Sequence, residues 1–234
     1  MSLCFLLNYL FVLTTIISTC VSDTGIDISS PLNSTIAGCL YQVYKPTFMI
    51  FRGYTDACAV DENVCSSMNS AVDYSTDAKR DVYFVPSPKC SKTAEEQLNE
   101  LVDYLQSNCG NFLPLKLWLD VTDSESEWFG DQSQNRKWYE SLVDACETLV
   151  DGEKIDGCGI HTSVEKWKSV FGSGTYCYGK GLPLWYTQIN DDPSYKNYSP
   201  FACWLQPSAK QYSADVRSSC GPISVNLDYS VDYE

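Results

Sequence analysis

LKLWLDVTDSES, residues 115–126, runs from an apolar, β-rich segment into an aspartate, Asp120, and then into a polar stretch. Alternation along a strand puts Asp120 and Thr122 on one side and Val121 and Asp123 on the other. An apolar strand that ends by presenting a carboxylate is how an α/β barrel delivers its functional groups, at the carboxyl ends of its strands. The segments on either side decide whether such a barrel exists.

Comparable runs occur at TGIDI (24–28), TFMIFR (47–52), DVYFVP (81–86) and IDGCGIH (155–161). Between the later of them the apolar spacing turns helical. Leu98, Leu101, Val102 and Leu105 follow a capping-box pattern from Thr93 to Glu96, and Trp138, Leu142, Cys146 and Leu149 form a second stripe. Strand and helix in alternation predict a parallel sheet. After a shorter helix around 163–171 the rhythm changes, and LPLWYTQI (182–189), AKQYS (209–213) and ISVNLDYS (223–230) read as strands with little room for helices between them. The expectation is an α/β fold, a modified TIM-like barrel of about five β/α units followed by three strands. Asp27, Arg52, Asp120, His161, Gln188, Gln211 and Asn226 or Asp228 stand at or near strand ends. An open doubly wound sheet would show a Gly-rich phosphate turn after the first strand, and ISSPLNST (28–35) is not one.

Residues 1–22 contain no Asp, Glu, Lys or Arg, and CFLLNYLFVLTTIIS within them reads as a signal-peptide core, so residues 23–234 are expected to form one exported domain. Of the 12 cysteines, Cys4 and Cys20 fall in that leader; the others are Cys39, Cys58, Cys65, Cys90, Cys109, Cys146, Cys158, Cys177, Cys203 and Cys220. An even number without CxxC spacing predicts disulfides rather than zinc, with the pairing left open. Two sequons, at Asn33 and Asn197, fit a secreted glycoprotein, the second followed by Pro200. A formal charge of −14 opposes binding to nucleic acid or an anionic membrane surface.

His161 is the one histidine, which excludes multi-histidine metal sites, and no GxSxG elbow accompanies it. What many carboxylates and aromatics in an exported barrel can do is glycoside hydrolysis, in which one carboxylic acid protonates the leaving oxygen and a second carboxylate supports the developing positive charge. Trp118, Trp185, Tyr186 and Tyr212 are candidates to stack on sugar faces, and equally at home in a core.

GIDISS (25–30), MIFRGYT (49–55), DVYFVP (81–86), LWLDV (117–121), GIHTS (159–163) followed by Trp167, LPLWYTQ (182–188), KQYS (210–213) and VNLDY (225–229) resemble, in order and approximate spacing, the secreted lysozymes of glycoside hydrolase family 25, nematode and amoebozoan members included. Each motif is short, but the series spans residues 23–234. The resemblance implies a barrel of five β/α units and three strands that cleaves peptidoglycan between N-acetylmuramic acid and N-acetylglucosamine, with no metal and no organic cofactor. It places catalytic positions at Asp27, at Asp120, at Thr122 and at Asn226. Asp27 and Asp120 match the family. Thr122 stands where the proton-donating glutamate of an Asp-x-Glu pair belongs, and Asn226 where the last strand more often carries aspartate, so the chain reads Asn-x-Asp there. His161 replaces a frequent tyrosine.

A threonine hydroxyl is no general acid at physiological pH. Asp123 is out of phase, while Glu125 and Glu127 lie in the following loop, from which a carboxylate can fold back. The expectation is therefore a secreted, monomeric, lysozyme-like protein that binds peptidoglycan or a related aminosugar polymer with weak or absent muramidase activity. The alternative is an active lysozyme, in defence or digestion, whose acid has moved to Glu125, Glu127 or His161. Arg52, Trp185, Gln211, Tyr212 and Asp228 are expected to shape the glycan groove, with an Asp27–Arg52 ion pair as a structural alternative.

Overall fold

Five β/α units come first in the computed structural model, which describes residues 23–74, 78–110, 116–121 and 128–230. β1 (Asp23–Ile28) precedes α1 (Ser34–Tyr44), and β2 (Phe48–Thr55) precedes α2 (Val64–Val72), with a two-residue strand, β3 (Ala59–Val60), folded back on β2. β4 (Lys79–Phe84), β5 (Leu117–Asp120) and β6 (Cys158–Thr162) are followed by α3 (Ala94–Asn108), α4 (Gln132–Asp151) and α5 (Val164–Phe171). β7 (Leu184–Thr187), β8 (Ala209–Arg217) and β9 (Ser224–Ser230) then follow without helices. Residues 1–22, the expected signal peptide, and Thr122, Asp123, Glu125 and Glu127 lie outside the described residues.

Every helix but α2 begins where a side chain supplies an acceptor to the free N–H groups of the first turn. Thr93 and Glu96 form the expected reciprocal box at α3, with Thr93 Oγ1 accepting from the Glu96 N–H at 3.1 Å and Glu96 Oε2 from the Thr93 N–H at 2.7 Å. Asn33, Asp131 and Ser163 cap α1, α4 and α5 by accepting from first-turn N–H groups, without the reciprocal bond. Spacing alone does not mark helices α1 and α2. They are short, and the buried face of α1 is made of Ala37, Gly38 and Leu40, which gives little apolar contrast.

The sheet closes because β1 pairs in parallel with β2 and antiparallel with β9, giving the order β1-β9-β8-β7-β6-β5-β4-β2 and back to β1. β9 alone runs against both of its neighbours in this ring, so its residues reach the carboxyl-end mouth from its beginning rather than its end. The five β/α units and three strands expected from the sequence are thus the barrel observed. Strand limits differ in detail. β7 is only four residues long, since Gln188 and Asn190 already turn to donate to the carbonyls of Gln211 and Tyr212. β8 instead continues past Ser213 to Arg217 through two register shifts.

Inside the barrel Phe48, Ile50, Trp118, Trp185 and Ala209 pack together with Tyr83 against them. Large rings in so small a lumen need opposing positions with no side chain. A Cβ on Gly25 would sit 2.1 Å from the Phe48 ring, and one on Gly159 would sit 2.4 Å from Trp118. The larger core lies between the sheet and the helices. Every cysteine among the described residues is paired: Cys39–Cys220, Cys58–Cys90, Cys65–Cys109, Cys146–Cys158 and Cys177–Cys203. The first ties α1 to the β8–β9 turn across 181 residues of sequence, holding the two ends of the chain at the closing seam.

Candidate active site

Strand register decides which side chains meet at the mouth. Asp27 on β1 lies directly across from Asn226 on β9, Gln211 on β8 is opposite both Thr187 and Asp228, and Asp120 on β5 neighbours His161 on β6. Two hydrogen-bonded groups result, joined through Trp185.

Asp27 anchors the first group. Its Oδ2 accepts from Gln211 Nε2 at 2.7 Å and its Oδ1 from Asn226 Nδ2 at 2.8 Å. Beside it Asp228, 0% exposed, accepts from Trp185 Nε1 at 2.8 Å through Oδ1, while Oδ2 receives no donor from the described residues. Burial above all, then repulsion from Asp27, pushes the Asp228 carboxyl well above the usual carboxylate range. The side-chain interaction with Asp27 acts in the same direction, favouring the protonated form of Asp228. Asp27 is also raised by burial, but the amides of Gln211 and Asn226, the Coulombic influence of His161 and the hydrogen bond with Asp228 all act to lower it. The neighbours thus favour charge on Asp27 and the proton on Asp228.

The second group is a line across three strand ends. His161 Nδ1 is 3.1 Å from Asp120 Oδ1, and His161 Nε2 is 2.6 Å from Thr187 Oγ1. Trp185 lies under the imidazole with ring centroids 3.8 Å apart and planes at 25°. The ring of Tyr83 packs edge-on to Trp185, with centroids 6.3 Å apart. Burial, then the charge of Asp27, with Asp120 and Asp61 adding to it, keeps its phenol protonated far above the ordinary range.

Several sequence expectations need correction here. Arg52 is not paired with Asp27: its Nε donates to Asp61 Oδ2 at 3.0 Å and its Nη2 to the Ser29 carbonyl at 3.2 Å, so its charge is met by partners other than Asp27. Trp118, Trp185 and Tyr186 are buried and present no face on which a sugar can stack. Trp185 instead supports His161 and Asp228 from inside the barrel. Tyr212 is half-buried at the bulge after Gln211, its phenol raised by burial and by Asp228. Thr122 lies outside the described residues, as do Glu125 and Glu127. Among the described residues no cluster of His, Cys, Asp and Glu is arranged to hold a metal.

Sequence reasoning passed over Tyr83 and Thr187. Both could have been found by the period of two that singled out Asp120: Tyr83 is two residues after Asp81 and Thr187 two after Trp185, each in phase with an inward side chain.

A family model described as "Lysozyme-like protein 1" matches residues 18–212. The chain is 34% identical over 200 residues to "Probable GH family 25 lysozyme 2" of Dictyostelium discoideum, an alignment covering 85% of this chain and 86% of the relative. Among solved structures, a family GH25 lysozyme from Aspergillus fumigatus superposes with a TM-score of 0.62 at 15% identity, covering 89% of this chain and 93% of that one. The modular autolysin LytC of Streptococcus pneumoniae, in complex with a synthetic peptidoglycan ligand, superposes with a TM-score of 0.61 at 10% identity over 89% of this chain and 46% of that one. These two structures share the fold. With the family model and the Dictyostelium relative, they show that the chain belongs to the lysozyme-like proteins of glycoside hydrolase family 25.

Proposed function

We propose that this is an exported, monomeric glycan-binding protein whose barrel mouth holds peptidoglycan or a related aminosugar polymer and hydrolyses it weakly or not at all. The observation that carries this reading is the state of the carboxylates. Asp27 is held as an acceptor by two amides, Asp120 is tied to His161, and the one described carboxyl at the mouth that burial keeps strongly protonated, Asp228, is sealed beneath them. Among the described residues such a site offers hydrogen-bond acceptors to sugar hydroxyls but no accessible acid to a leaving oxygen. The position that the family resemblance gives to the acid is Thr122. In this reading Asp27 and Asp120 bind hydroxyls, Tyr212 and Arg52 shape the rim, and Trp185, Gln211, Asn226 and Asp228 hold the acceptors in place.

Support for the ligand class comes from the autolysin of the same fold, which holds a peptidoglycan ligand. Support for export comes from the uncharged apolar leader and from the five disulfides, together with the lack, among the described residues, of a helix long and apolar enough to cross a membrane. The test is calorimetric titration with soluble muropeptides alongside mass-spectrometric detection of products. Saturable binding with little or no product supports the proposal. Rapid release by the wild-type protein, or no binding, refutes it.

A relocated acid is the second reading, favoured by His161 at 3.1 Å from Asp120. With His161 as the acid, His161→Gln abolishes whatever hydrolysis the wild type shows; with Glu125 or Glu127 in that role, hydrolysis survives His161→Gln and is lost on replacing the glutamate.

A further inference from the structure

The glycan-binding reading makes no use of the two sequons, at Asn33 and Asn197, and the fold gives them different surroundings. Asn33 ends the connection that leaves the carboxyl end of β1, and it is the N-cap of α1. Its Oδ1 accepts from the Ile36 N–H at 3.0 Å. Only an oxygen can accept that bond, which fixes the amide nitrogen as the atom turned away from the helix. Asn33, Ser34 and Thr35 are all exposed, and Nδ2 has no hydrogen-bond partner among the described residues. N-linked glycosylation replaces one hydrogen of Nδ2 and leaves Oδ1 as it was. Cap and sugar therefore use opposite ends of one amide, and α1 keeps its first-turn acceptor after modification.

Asn197 is exposed too, but its sequence setting is poorer. It stands in the tight turn from Tyr195 to Tyr198, closed by the Tyr198 N–H on the Tyr195 carbonyl at 3.0 Å. Pro200 directly follows Ser199, the hydroxyl residue of this sequon. Proline holds the residue before it in extended backbone, which opposes the bend that brings a sequon hydroxyl back to its own asparagine amide. Thr35 is followed by Ile36 and meets no such restriction. We propose that Asn33 carries an N-linked oligosaccharide, standing beside α1 at the carboxyl-end face of the barrel, and that Asn197 stays unmodified.

This inference rests on the export reading, because the donor, a polyprenyl-diphosphate-linked oligosaccharide, belongs to the secretory lumen. In the transfer Asn33 Nδ2 bonds to the anomeric carbon of the donor's reducing-end sugar. The bond from that carbon to the diphosphate oxygen breaks, the polyprenyl diphosphate leaves with the electron pair, and one amide proton is released to base. The chain meets the donor while still extended. Folding then sets the modified amide at the start of α1, with Oδ1 on the Ile36 N–H and the sugar in solvent.

The experiment produces the full chain in a eukaryotic secretory host and, in parallel, residues 23–234 behind a heterologous signal peptide, so that entry to the lumen does not depend on the native leader. Peptide N-glycosidase and peptide mapping by mass spectrometry then locate each sugar, because release converts the asparagine that carried it to aspartate. Expected are an oligosaccharide on Asn33, an unmodified Asn197 peptide, and loss of the whole sugar mass in both Thr35→Ala and Asn33→Asp. Asn33→Asp keeps a capping oxygen, and Thr35→Ala keeps Asn33 itself in a helix that favours alanine, so both variants should fold. Mapping of the wild-type chain does not depend on them. An unmodified Asn33 behind the heterologous leader overturns the proposal, as does a sugar on Asn197. A sugar on Asn33 behind that leader but none in the native chain would uphold the site and refute export. Muropeptide binding is read separately, so it stands or falls without reference to Asn33.

Discussion

Asn226 donates its side-chain amide to Asp27 at 2.8 Å across the seam where β9 closes the barrel onto β1, and its own Oδ1 accepts from the Asp215 N–H at 2.9 Å. An amide satisfies both demands at once, donating to a carboxylate and accepting from a backbone N–H. A carboxylate at the same place would satisfy only the second.

Asn226→Asp should therefore destabilise the fold at neutral pH by about 1–3 kcal/mol, because it leaves one oxygen of Asp27 facing a like charge in place of a donor. The loss should shrink as the solution is acidified, since the introduced carboxyl regains a donor once it is protonated. Guanidinium unfolding at pH 7 and pH 4 measures both; an equal loss at the two values would contradict this account.

Asp228→Asn should have the opposite effect. In the folded chain Asp228 titrates well above its unfolded range, so between the two values the folded state binds the extra proton. Stability from this group is fully present below the unfolded pKa and falls as pH rises through the folded one. Asparagine reproduces the protonated form, accepting from Trp185 and donating to Asp27 without titrating. The variant should melt a few degrees higher than wild type near neutrality and show almost no advantage near pH 4. Differential scanning calorimetry across that range decides; a gain that does not depend on pH would show that the proton is not on Asp228.

Thr122→Glu restores the acid that the family resemblance places there. Muropeptide release should rise by about 10²–10⁴-fold over wild type if the remainder of the site is competent, and adding Asp120→Asn should remove that gain. Product is counted by mass spectrometry after digestion of purified peptidoglycan. No gain from Thr122→Glu, in a protein that still binds muropeptide, would mean that more than the acid is missing.

Lys210 is buried, and its Nζ donates to Asn190 Oδ1 at 3.1 Å and to the carbonyls of Asp192 and Ser194 at 2.7 and 3.0 Å. The ammonium thus ties the first part of the β7–β8 loop to β8. Lys210→Met should take a donor from all three acceptors, of which Asn190 Oδ1 alone keeps another, the Asp192 N–H, and cost about 2–4 kcal/mol. Residues 189–195 should become a preferred site of limited proteolysis and of fast amide exchange, with the barrel strands little changed. Unchanged protection in that loop would show that something else holds it.

Much of the barrel was legible in the sequence because its signals are local. The period of two in LWLDV and DVYFVP, the helical spacing behind Thr93 and the crowding of the last three strands each depend on residues close together in the chain, and together they specify five β/α units and three strands. The carboxylates at strand ends were legible for the same reason. Asp27 and Asp120 stand where alternation and family likeness put them, at the mouth.

Partners across the barrel were not legible, because they are chosen by register and closure rather than by neighbours in sequence. Asp27 meets Gln211 and Asn226 from 184 and 199 residues away, and nothing local says that Arg52 will turn to Asp61 instead. Trp185 reads from its surroundings as a possible sugar platform. Only the closed lumen, filled by rings where Gly25 and Gly159 make room, turns it into the support beneath His161 and Asp228. The sequence alone determined which groups reach the mouth of this protein. The tertiary structure decided which of them hold the charge, which hold the proton and which hold one another, because burial and long-range pairing set those properties.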